Sequence, residues 1–268
     1  MKIALASTAP FVLALAAACA PANTVSDPEM DEQEVVGSKS VTLHLTEAKC
    51  HAPGRFVAPG EIPTAADVAL DAFCGEVLLR RAAPKGSIVI FGSSRLKDGT
   101  PEYASARTFA SLWTQEMGHI PILTGGGGGL MEAGNRGAKE AGGKSLGIST
   151  YFKDAKDTLS PFVTDGYMMS DFETRERALL RYAKGVVVYT GGVGTAWEFF
   201  MTLSEVQTHK MKKVPIVLVG SEVKNAVMPY LQFMKDKGTI SPEDLDLFTT
   251  VDKPEDAVAA LKQALTLP

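Results

Sequence analysis

Short apolar runs alternate with amphipathic stretches along most of the chain, beginning near residue 64. Residues 87–91 and 185–189 are the clearest runs, and their valine and isoleucine content is typical of buried strands. Between such runs, apolar residues recur every three or four positions, the spacing of a helix with one face on a core. The pattern predicts strands at 87–91, 120–124, 145–148, 163–169, 185–189 and 215–219, the fourth being the weakest. It predicts helices at 64–81, 102–117, 130–140, 172–184, 195–210, 224–235 and 254–265.

This alternation determines the expected fold class. Strands that are apolar throughout must be covered on both faces, and the helices between them supply that cover. We therefore expect an α/β fold, with a single doubly wound, Rossmann-like parallel sheet and helices on both faces. Residues 64–268 show no internal repeat and no mid-chain linker, so we expect them to form one domain.

The first 63 residues do not follow this pattern. Lys2 precedes an apolar stretch, and small residues lead up to Cys19, which is the arrangement of a secretory signal peptide over residues 1–19. The alanines before Cys19 also resemble a bacterial lipobox, whose cysteine is lipidated; simple cleavage is the alternative. Residues 20–63 are expected to form a tether and N-terminal extension. We expect an exported protein, periplasmic or anchored to a membrane by lipid, and a cytoplasmic one if the assigned start is too early.

Two further cysteines, Cys50 and Cys74, lie on either side of the start of the first predicted helix. In an oxidising compartment such a pair can form a disulfide, which would tie the N-terminal extension to that helix. The alternative is a pair of free thiols, with Cys74 buried on the helix face. Both remain open, because the sequence does not supply the distance between the two residues.

Composition narrows the class of function. With 45% hydrophobic and 22% charged residues, the chain is ordinary for a globular protein. The net charge of −4, without a block of Lys or Arg, argues against nucleic acid as a partner. No apolar run reaches the length of a membrane-spanning helix. The four histidines and three cysteines follow no metal-binding spacing, so we expect no metal site.

Three predicted strands are followed by loops that contain glycine and lead into a helix. Glycine lets the backbone approach a ligand, and a helix N-terminus offers free N–H groups to a phosphate. One such loop often serves only a tight turn, whereas several at one sheet edge predict a nucleotide site. Neither a Walker A motif nor a complete dinucleotide-binding pattern is present. The candidate substrate-binding residues are Gly92, Ser93, Gly125, Gly126, Gly127, Gly129, Leu130, Met131, Glu132, Gly191, Gly192, Val193, Gly194 and Thr195.

Two of these loops resemble the motifs of a known family. Residues 125–133, GGGGGLMEA, resemble a GGGxxGLM motif, and residues 191–198, GGVGTAWE, resemble a PGGxGTxxE motif. The family is the LOG (Lonely Guy) group of cytokinin-nucleotide phosphoribohydrolases, often labelled lysine decarboxylases. The resemblance covers residues 64–256 and is nearest to the longer bacterial branch.

The resemblance implies an activity and its residues. Such an enzyme hydrolyses the N-glycosidic bond of a purine, adenine-type nucleoside 5′-monophosphate to free base and ribose 5-phosphate, without a metal or redox cofactor. Glu198 takes the position of the catalytic glutamate, which stabilises the oxocarbenium-like sugar and orients water. Arg175 takes the position of the catalytic arginine, whose charge helps to hold the substrate. Thr190, Val193 and Glu176 replace a proline, an aromatic and a basic residue, which implies a changed pocket rim and weaker phosphate binding.

Other interpretations of the same residues remain open at this point. Thr195 and Glu198 have the spacing of a helix capping box, and Arg175 can belong to a solvated basic face with exposed neighbours at Arg177 and Arg181. The chain can also be a non-catalytic nucleotide-binding protein on the same fold, or have an unrelated transfer or carrier role. An apolar stripe on the helix at 195–210 predicts a homodimer or larger assembly; its residues are Trp197, Phe200, Met201 and Leu203.

Overall fold

The computed structural model describes residues 45–266, so the expected signal peptide, Cys19 and most of the tether lie outside the described residues. Within residues 45–266, seven strands form one sheet in the order β4-β3-β2-β1-β5-β6-β7, and every neighbouring pair is parallel. The strands are β1 (Ser87–Phe91), β2 (Ile122–Thr124), β3 (Ser145–Thr150), β4 (Asp165–Met169), β5 (Ala183–Val188), β6 (Ile216–Val219) and β7 (Phe248–Val251). The predicted doubly wound parallel sheet is confirmed.

Helices cover both faces of this sheet, and each face has its own apolar core. The helices are α1 (Ala65–Ala82), α2 (Pro101–Met117), α3 (Leu130–Glu140), α4 (Phe172–Arg181), α5 (Val193–Gln207), α6 (Ser221–Asp236) and α7 (Pro254–Ala264). Helices α1, α4, α5 and α6 pack on one face, and α2, α3 and α7 pack on the other. Short 3₁₀ helices span Glu47–His51 and Pro242–Leu247. None of the described helices is long and apolar enough to cross a bilayer.

The alternation of side chains along β1 shows how one strand serves both cores. Val89 and Phe91 face the α1 side, whereas Ile88 and Ile90 face the α2 side, and all four are fully buried. Each such side chain contributes about 1.5–3 kcal/mol through burial. This explains why β1 is an uninterrupted apolar run rather than an alternating one.

The helix and strand boundaries differ from the predictions at a few places. Helix α4 ends at Arg181, three residues early, because Ala183 already pairs with Ser87 in the sheet. Helix α5 begins two residues before Thr195 and ends three before Lys210. Leu203 in α5 is buried in the core, so its assignment to the apolar stripe that predicts an assembly contact was wrong.

The strand order reverses between β1 and β5, at the centre of the sheet. From β1 the chain proceeds outwards through β2, β3 and β4, and from β5 it proceeds outwards on the other side. Loops that leave the carboxyl ends of β1 and β5 therefore separate to opposite faces and open a crevice between them. The three glycine-containing loops follow β1, β2 and β5, so all of them border this crevice.

Residues 45–58, here called the N-terminal strap, run along the edge strand β4. A disulfide joins Cys50 to Cys74 of α1, with Cα atoms 5.2 Å apart. Further along, Gly54 N donates to Met168 O at 2.7 Å, and Tyr151 Oη donates to Gly54 O at 3.2 Å. A Cβ at position 54 would lie 2.7 Å from Asp71 Oδ1, so this close approach requires glycine. The strap is thereby fixed to both α1 and β4.

Asp71 of α1 is fully buried beneath the strap. Its Oδ2 accepts hydrogen bonds from Ser170 N at 2.7 Å and Asp171 N at 2.9 Å, which fixes the turn between β4 and α4. Burial raises the pKa of Asp71 to about 6, and the two backbone N–H donors oppose that shift. The same turn then starts α4, where Asp171 caps the helix by accepting from Thr174 N at 2.7 Å.

Candidate active site

The three loops at the carboxyl edge of the sheet are joined to one another by backbone hydrogen bonds. Ser93 N, after β1, donates to Thr190 O, after β5, at 3.0 Å. Leu130 N, at the start of α3, donates to Ser93 O at 2.8 Å. At Gly129, where φ is +68°, an added Cβ would overlap Ser93 O, so the close contact of these loops depends on glycine.

Within the first glycine loop, the glycines differ in what they contact. Gly126, with φ of +66°, donates to Thr124 Oγ1 at 2.9 Å and accepts from Ser160 N at 2.8 Å. Gly127 and Gly128 are half-buried, whereas Gly125, Gly126 and Gly129 are buried. An added Cβ at Gly127 would lie 2.9 Å from Met131 Cε, which places the half-buried Met131 beside this loop.

Arg175 lies between the first glycine loop and α5. It is 3% exposed, its Nε donates to Ile148 O at 3.1 Å, and its Nη1 lies 3.3 Å from Glu198 Oε1. Its Nη2 packs so closely on Gly125 that an added Cβ there would overlap it. The alternative interpretation of Arg175 as part of a solvated face is therefore wrong, whereas Arg177 and Arg181 are indeed exposed.

The amino end of α5 differs from the capping-box interpretation. The N-cap is Gly192 and the helix begins at Val193, so Thr195 is the third helical residue and caps nothing. Val193 is 89% exposed, Gly192 and Gly194 are also exposed, and Thr195 is buried against Gly191. The first backbone N–H groups of a helix lack intrahelical partners and carry its positive dipole end. Here they open to solvent, which suits an anion.

Glu198 follows on the next turn of α5 and is 8% exposed. Burial raises the pKa of its carboxyl to about 7, and the positive charge of Arg175 opposes that shift. Burial likewise lowers the pKa of Arg175, and Glu198 opposes it. A carboxyl that titrates near neutral pH, with a fixed cation beside it and an open helix end in the same loop, is typical of a catalytic site.

The sequence of this chain is similar to those of known proteins. Residues 131–261 match the model of a family described as possible lysine decarboxylase, the group whose motifs were discussed above. An uncharacterized protein of Archaeoglobus fulgidus is 30% identical over 108 residues, which cover 40% of this chain and 69% of that protein. This chain belongs to the LOG family.

A better-described relative of this LOG-family chain comes from Escherichia coli K12. It is named pyrimidine/purine nucleotide 5′-monophosphate nucleosidase and is 29% identical over 143 residues. The match covers 50% of this chain but only 30% of the relative, so most of the relative's length has no counterpart in the match.

Solved structures share the fold. The molybdenum cofactor carrier protein of Chlamydomonas reinhardtii has a TM-score of 0.51 and 22% identity, covering 68% of this chain and 99% of that one. The molybdenum cofactor binding protein of Rippkaea orientalis has a TM-score of 0.50 and 20% identity, covering 67% and 96%. At this identity the likeness shows a common fold and nothing more about ligands.

Glu176 distinguishes this LOG-family chain from the family motif, which has a basic residue there. Its side chain is fully buried, and Oε1 contacts the same Nη1 of Arg175 that faces Glu198. Its Oε2 has no hydrogen-bond partner within residues 45–266. Because both carboxylates contact one nitrogen at hydrogen-bond distance, their oxygens are at most about 6 Å apart. The cluster therefore holds two carboxyl groups for one guanidinium.

Two of the predicted substrate-binding residues point away from the crevice. Glu132 accepts from Tyr103 Oη of α2 at 3.0 Å, so its carboxylate supports the α2–α3 contact. Leu130 is fully buried and packs against Gly92, where an added Cβ would lie 2.9 Å from its own. Glu132 and Leu130 therefore support the first glycine loop through these contacts and do not line the crevice.

Sequence reasoning missed a cation and an aromatic rim. Lys97 is exposed, and its Nζ lies 3.1 Å from where a Cβ of Gly128 would be. Phe172 stacks on Trp197 with ring centroids 5.3 Å apart, and Phe152 meets Phe172 edge-on at 5.9 Å. These three rings are exposed and border the pair of Arg175 and Glu198, since Arg175 Cζ lies 5.8 Å from the Phe172 ring centre. The available signal in the sequence was the position of these aromatic residues after β3, at the start of α4 and in α5.

An apolar cavity of about 300 Å³ lies between α6 and the glycine loop that follows β5. It is bordered by Gly191 and Thr195 of that loop and by Val223 and Ala226 of α6. Within residues 45–266, no group of three His, Cys, Asp or Glu side chains is placed to hold a metal ion. The charged side chains at the site are those of Arg175, Glu198, Glu176 and Lys97.

Proposed function

We propose that this LOG-family protein hydrolyses the N-glycosidic bond of a purine, adenine-type nucleoside 5′-monophosphate, releasing free base and ribose 5-phosphate. The observation that carries the proposal is the buried pair of Arg175 and Glu198, set between the two glycine motifs. The nucleotide nucleosidase named for the Escherichia coli relative supports the same class of reaction.

The open amino end of α5 is the proposed binding site of the 5′-phosphate. Gly192 and Gly194 are exposed and lack side chains, so their backbone can approach the phosphate oxygens closely. The helix dipole favours the negative charge at this position. With the phosphate here, the ribose lies toward Glu198, one turn further along the helix.

Glu198 is the proposed catalytic carboxylate. As the bond between C1′ and the base breaks, the base leaves with the bonding electron pair and the ribose develops positive charge. An ionised Glu198 stabilises that charge, and its carboxylate accepts a proton from the water whose oxygen attacks C1′. The departing base takes up a proton from solvent. Arg175 holds the carboxylate in place through its contact at 3.3 Å and is itself held by Ile148 O.

The aromatic rim offers a place for the base. Phe172 and Trp197 present flat apolar rings beside the catalytic pair, and a purine stacks favourably on such rings. Val193 replaces the aromatic residue of the family motif, so these rings supply aromatic surface that the motif itself lacks here. A larger purine gains more from stacking than a pyrimidine does, which favours an adenine-type base.

Incubation with AMP and UMP, followed by chromatography for free base, tests the proposal. We expect adenine to be released faster than uracil. Glu198→Gln should lower base release by about 10²–10⁴-fold with little change in melting temperature, because it removes the charge that faces the ribosyl cation. Glu173→Gln, at an exposed position of α4, is the matched control and should retain activity. Calorimetric binding of AMP without any base release would instead favour a non-catalytic nucleotide-binding protein.

A further inference from the structure

An open cleft of about 720 Å³ lies at the edge of the sheet opposite the glycine loops. It is formed between the carboxyl-terminal halves of α4 and α5 and the amino ends of β1, β5 and β6. Its floor is apolar and consists of Leu180, Met201, Met211 and Val214. A cavity of this size is ample for a small organic ligand, since such sites commonly measure about 300–1,000 Å³.

The cleft is strongly basic, although the whole chain carries a net charge of −4. Within the described part of the chain, six cationic side chains line it against the single carboxylate of Glu205. The six are Lys85, Arg177, Arg181, Lys184, Lys210 and Lys212. Arg177 lies 3.8 Å from Glu205, and Arg181 is paired with Glu76. The four lysines have no acidic partner within 4.0 Å in residues 45–266.

Helix dipoles account for only part of this charge. Cations are favoured in the last turn of a helix, which explains Arg181 at the end of α4. Lys85 follows α1 beyond its cap, Lys184 lies in β5, and Lys212 lies five residues beyond the end of α5. These three lysines therefore line one cleft without a helix end, or a carboxylate within 4.0 Å in residues 45–266, to offset their mutual repulsion. A bound anion would supply that compensation.

We propose that this basic cleft binds a phosphorylated small molecule that carries at least two negative charges and an apolar or aromatic portion. The phosphate groups would lie against the lysines at the mouth, and the apolar portion would cover the floor. Separate walls of charge and apolar surface in one cavity favour such an amphiphilic anion over a bare inorganic ion.

The position of the cleft also connects it with the crevice. Helix α4 carries Arg175 two residues before Arg177, and α5 carries Glu198 three residues before Met201. A ligand that contacts Arg177 and Met201 together would fix the spacing of the two helices that carry the proposed catalytic pair. This effect on catalysis rests on the proposed function, whereas binding in the cleft does not.

Calorimetry with p-nitrophenyl phosphate on the full chain tests the site. All variants are made in a parent protein that carries Gly192→Asp. This substitution places a carboxylate at the open end of α5, where it repels the anionic probe, and a Cβ at this position meets no atom within 4 Å. We expect the parent to bind the probe, and more tightly than inorganic phosphate. Lys184→Glu with Lys212→Glu should weaken binding at least about tenfold, more so at low salt. Lys224→Glu with Lys253→Glu, the same charge change at exposed positions elsewhere, should alter it less than about twofold.

The experiment distinguishes an error in the proposed cleft site from an error in the proposed catalytic site. Loss of all binding in the Gly192→Asp parent, while the unaltered chain binds, would place the only anion site at the glycine loop and overturn the proposal. An equal loss in both lysine pairs would also overturn it. Sedimentation with phosphatidylglycerol vesicles forms a second arm of the experiment. Binding to vesicles that depends on Lys184 and Lys212, without binding of the soluble probe, would assign the cleft to lipid headgroups instead. Circular dichroism melting of each variant confirms that it is folded.

Discussion

Gly125 and Gly192 stand in the two glycine motifs, yet their surroundings differ completely. A Cβ on Gly125 would overlap Arg175 Nη2 and lie 2.8 Å from Met131 Sδ. A Cβ on Gly192 would meet no atom within 4 Å. Gly125 leaves room for the buried guanidinium of Arg175, whereas Gly192 leaves the amino end of α5 open. Glycine motifs in a sequence do not distinguish these two roles.

We expect Gly125→Ala to displace Arg175 and lower base release by about 10²-fold, because a catalytic geometry misplaced by about 1 Å costs that much. Gly192→Ala adds a methyl group that meets no protein atom, so it should leave Arg175 in place and keep kcat, while raising KM for AMP because Gly192 lies at the proposed phosphate position. Steady-state kinetics on AMP provides the measurement. Equal loss in both variants would mean that Arg175 does not depend on Gly125.

The second prediction at this scale concerns pH. Because burial raises the pKa of Glu198 to about 7, its ionised fraction and hence kcat/KM should rise between pH 6 and 8. Glu176→Gln removes one of the two carboxylates that contact Arg175 Nη1. The positive charge of Arg175 then acts on the carboxylate of Glu198 alone. We expect the acidic limb of the pH profile to move to lower pH by about one unit. Glu173→Gln should leave the limb in place, and an unmoved limb in Glu176→Gln would show that Glu176 does not act on the pair.

The sequence carried enough information to find Glu198 and Arg175, because both lie at fixed positions relative to recognisable motifs. It did not indicate that Glu176 is buried, since a charged residue beside Arg175 in a helix is usually solvated. Asp71 was missed for another reason. Its contact with Asp171 spans 100 residues of sequence and arises only when α1 packs beside β4.

At the scale of elements, a short chain of contacts connects the N-terminal strap with Arg175 in the candidate active site. The strap is bound to α1 by the disulfide and lies over Asp71. Asp71 fixes the turn before α4, Asp171 caps α4, and Arg175 N donates to Asp171 O at 3.2 Å. Loosening the strap should therefore weaken the placement of Arg175 as well as global stability.

Replacing Cys50 and Cys74 together by serine should lower the free energy of unfolding by about 3 kcal/mol, the value for a loop that closes over 24 residues. Urea unfolding of the oxidised chain and the double variant measures the difference. Reductant should bring the unaltered protein to the stability of the variant and leave the variant unchanged. We also expect a higher KM for AMP in the variant, and an unchanged KM would separate the strap from Arg175.

Most elements were predictable because their local patterns agree with the fold. Strand β1 has its predicted bounds since glycines flank an apolar run, and α3 begins where the glycine loop ends. Strand β7 was missed because Phe248–Val251 is a half-exposed edge strand whose central residues are threonines. It shows neither an apolar run nor strict alternation, and only pairing with β6 makes it a strand.

For the whole molecule, the outer face of α5 and α6 suggests how copies associate. Tyr230 and Phe233 of α6 are 55% and 54% exposed and stack on each other, and Phe200 of α5 packs edge-on against Tyr230 at 5.8 Å. We propose that two copies of the chain associate through this face to form a homodimer. Leu203, which the sequence placed in the contact surface, is buried in the core and is not part of it. Apolar clusters of this kind are commonly covered in an assembly.

Light scattering should give at least twice the chain mass for the protein, and the monomer mass for a variant with Tyr230→Glu and Phe233→Glu, because charges would be buried at the contact. Exposed Lys224→Glu with Lys253→Glu serves as the control for added acid and should remain dimeric. A monomeric unaltered protein would contradict the assembly.

We further propose export and lipid attachment at Cys19, which lies outside the described residues. Cys19→Ser should move the protein from the membrane fraction to the soluble fraction of the host cell, because a single acyl-modified cysteine would be its anchor. Fractionation with immunoblotting measures this. A soluble unaltered protein whose Met1 is intact by mass spectrometry would contradict both export and lipidation.

The contrast between the two tryptophans has a practical consequence. Trp113 is fully buried and donates to Ile120 O, whereas Trp197 is 37% exposed and lies at the rim of the crevice. Intrinsic fluorescence therefore has one shielded emitter and one that solutes can reach. Iodide should quench only Trp197, and Trp197→Phe should abolish that quenching. A nucleotide that covers the rim should protect Trp197 from iodide, whereas an anion in the cleft at the other edge of the sheet should not. One optical titration would thus tell the two ligand positions apart.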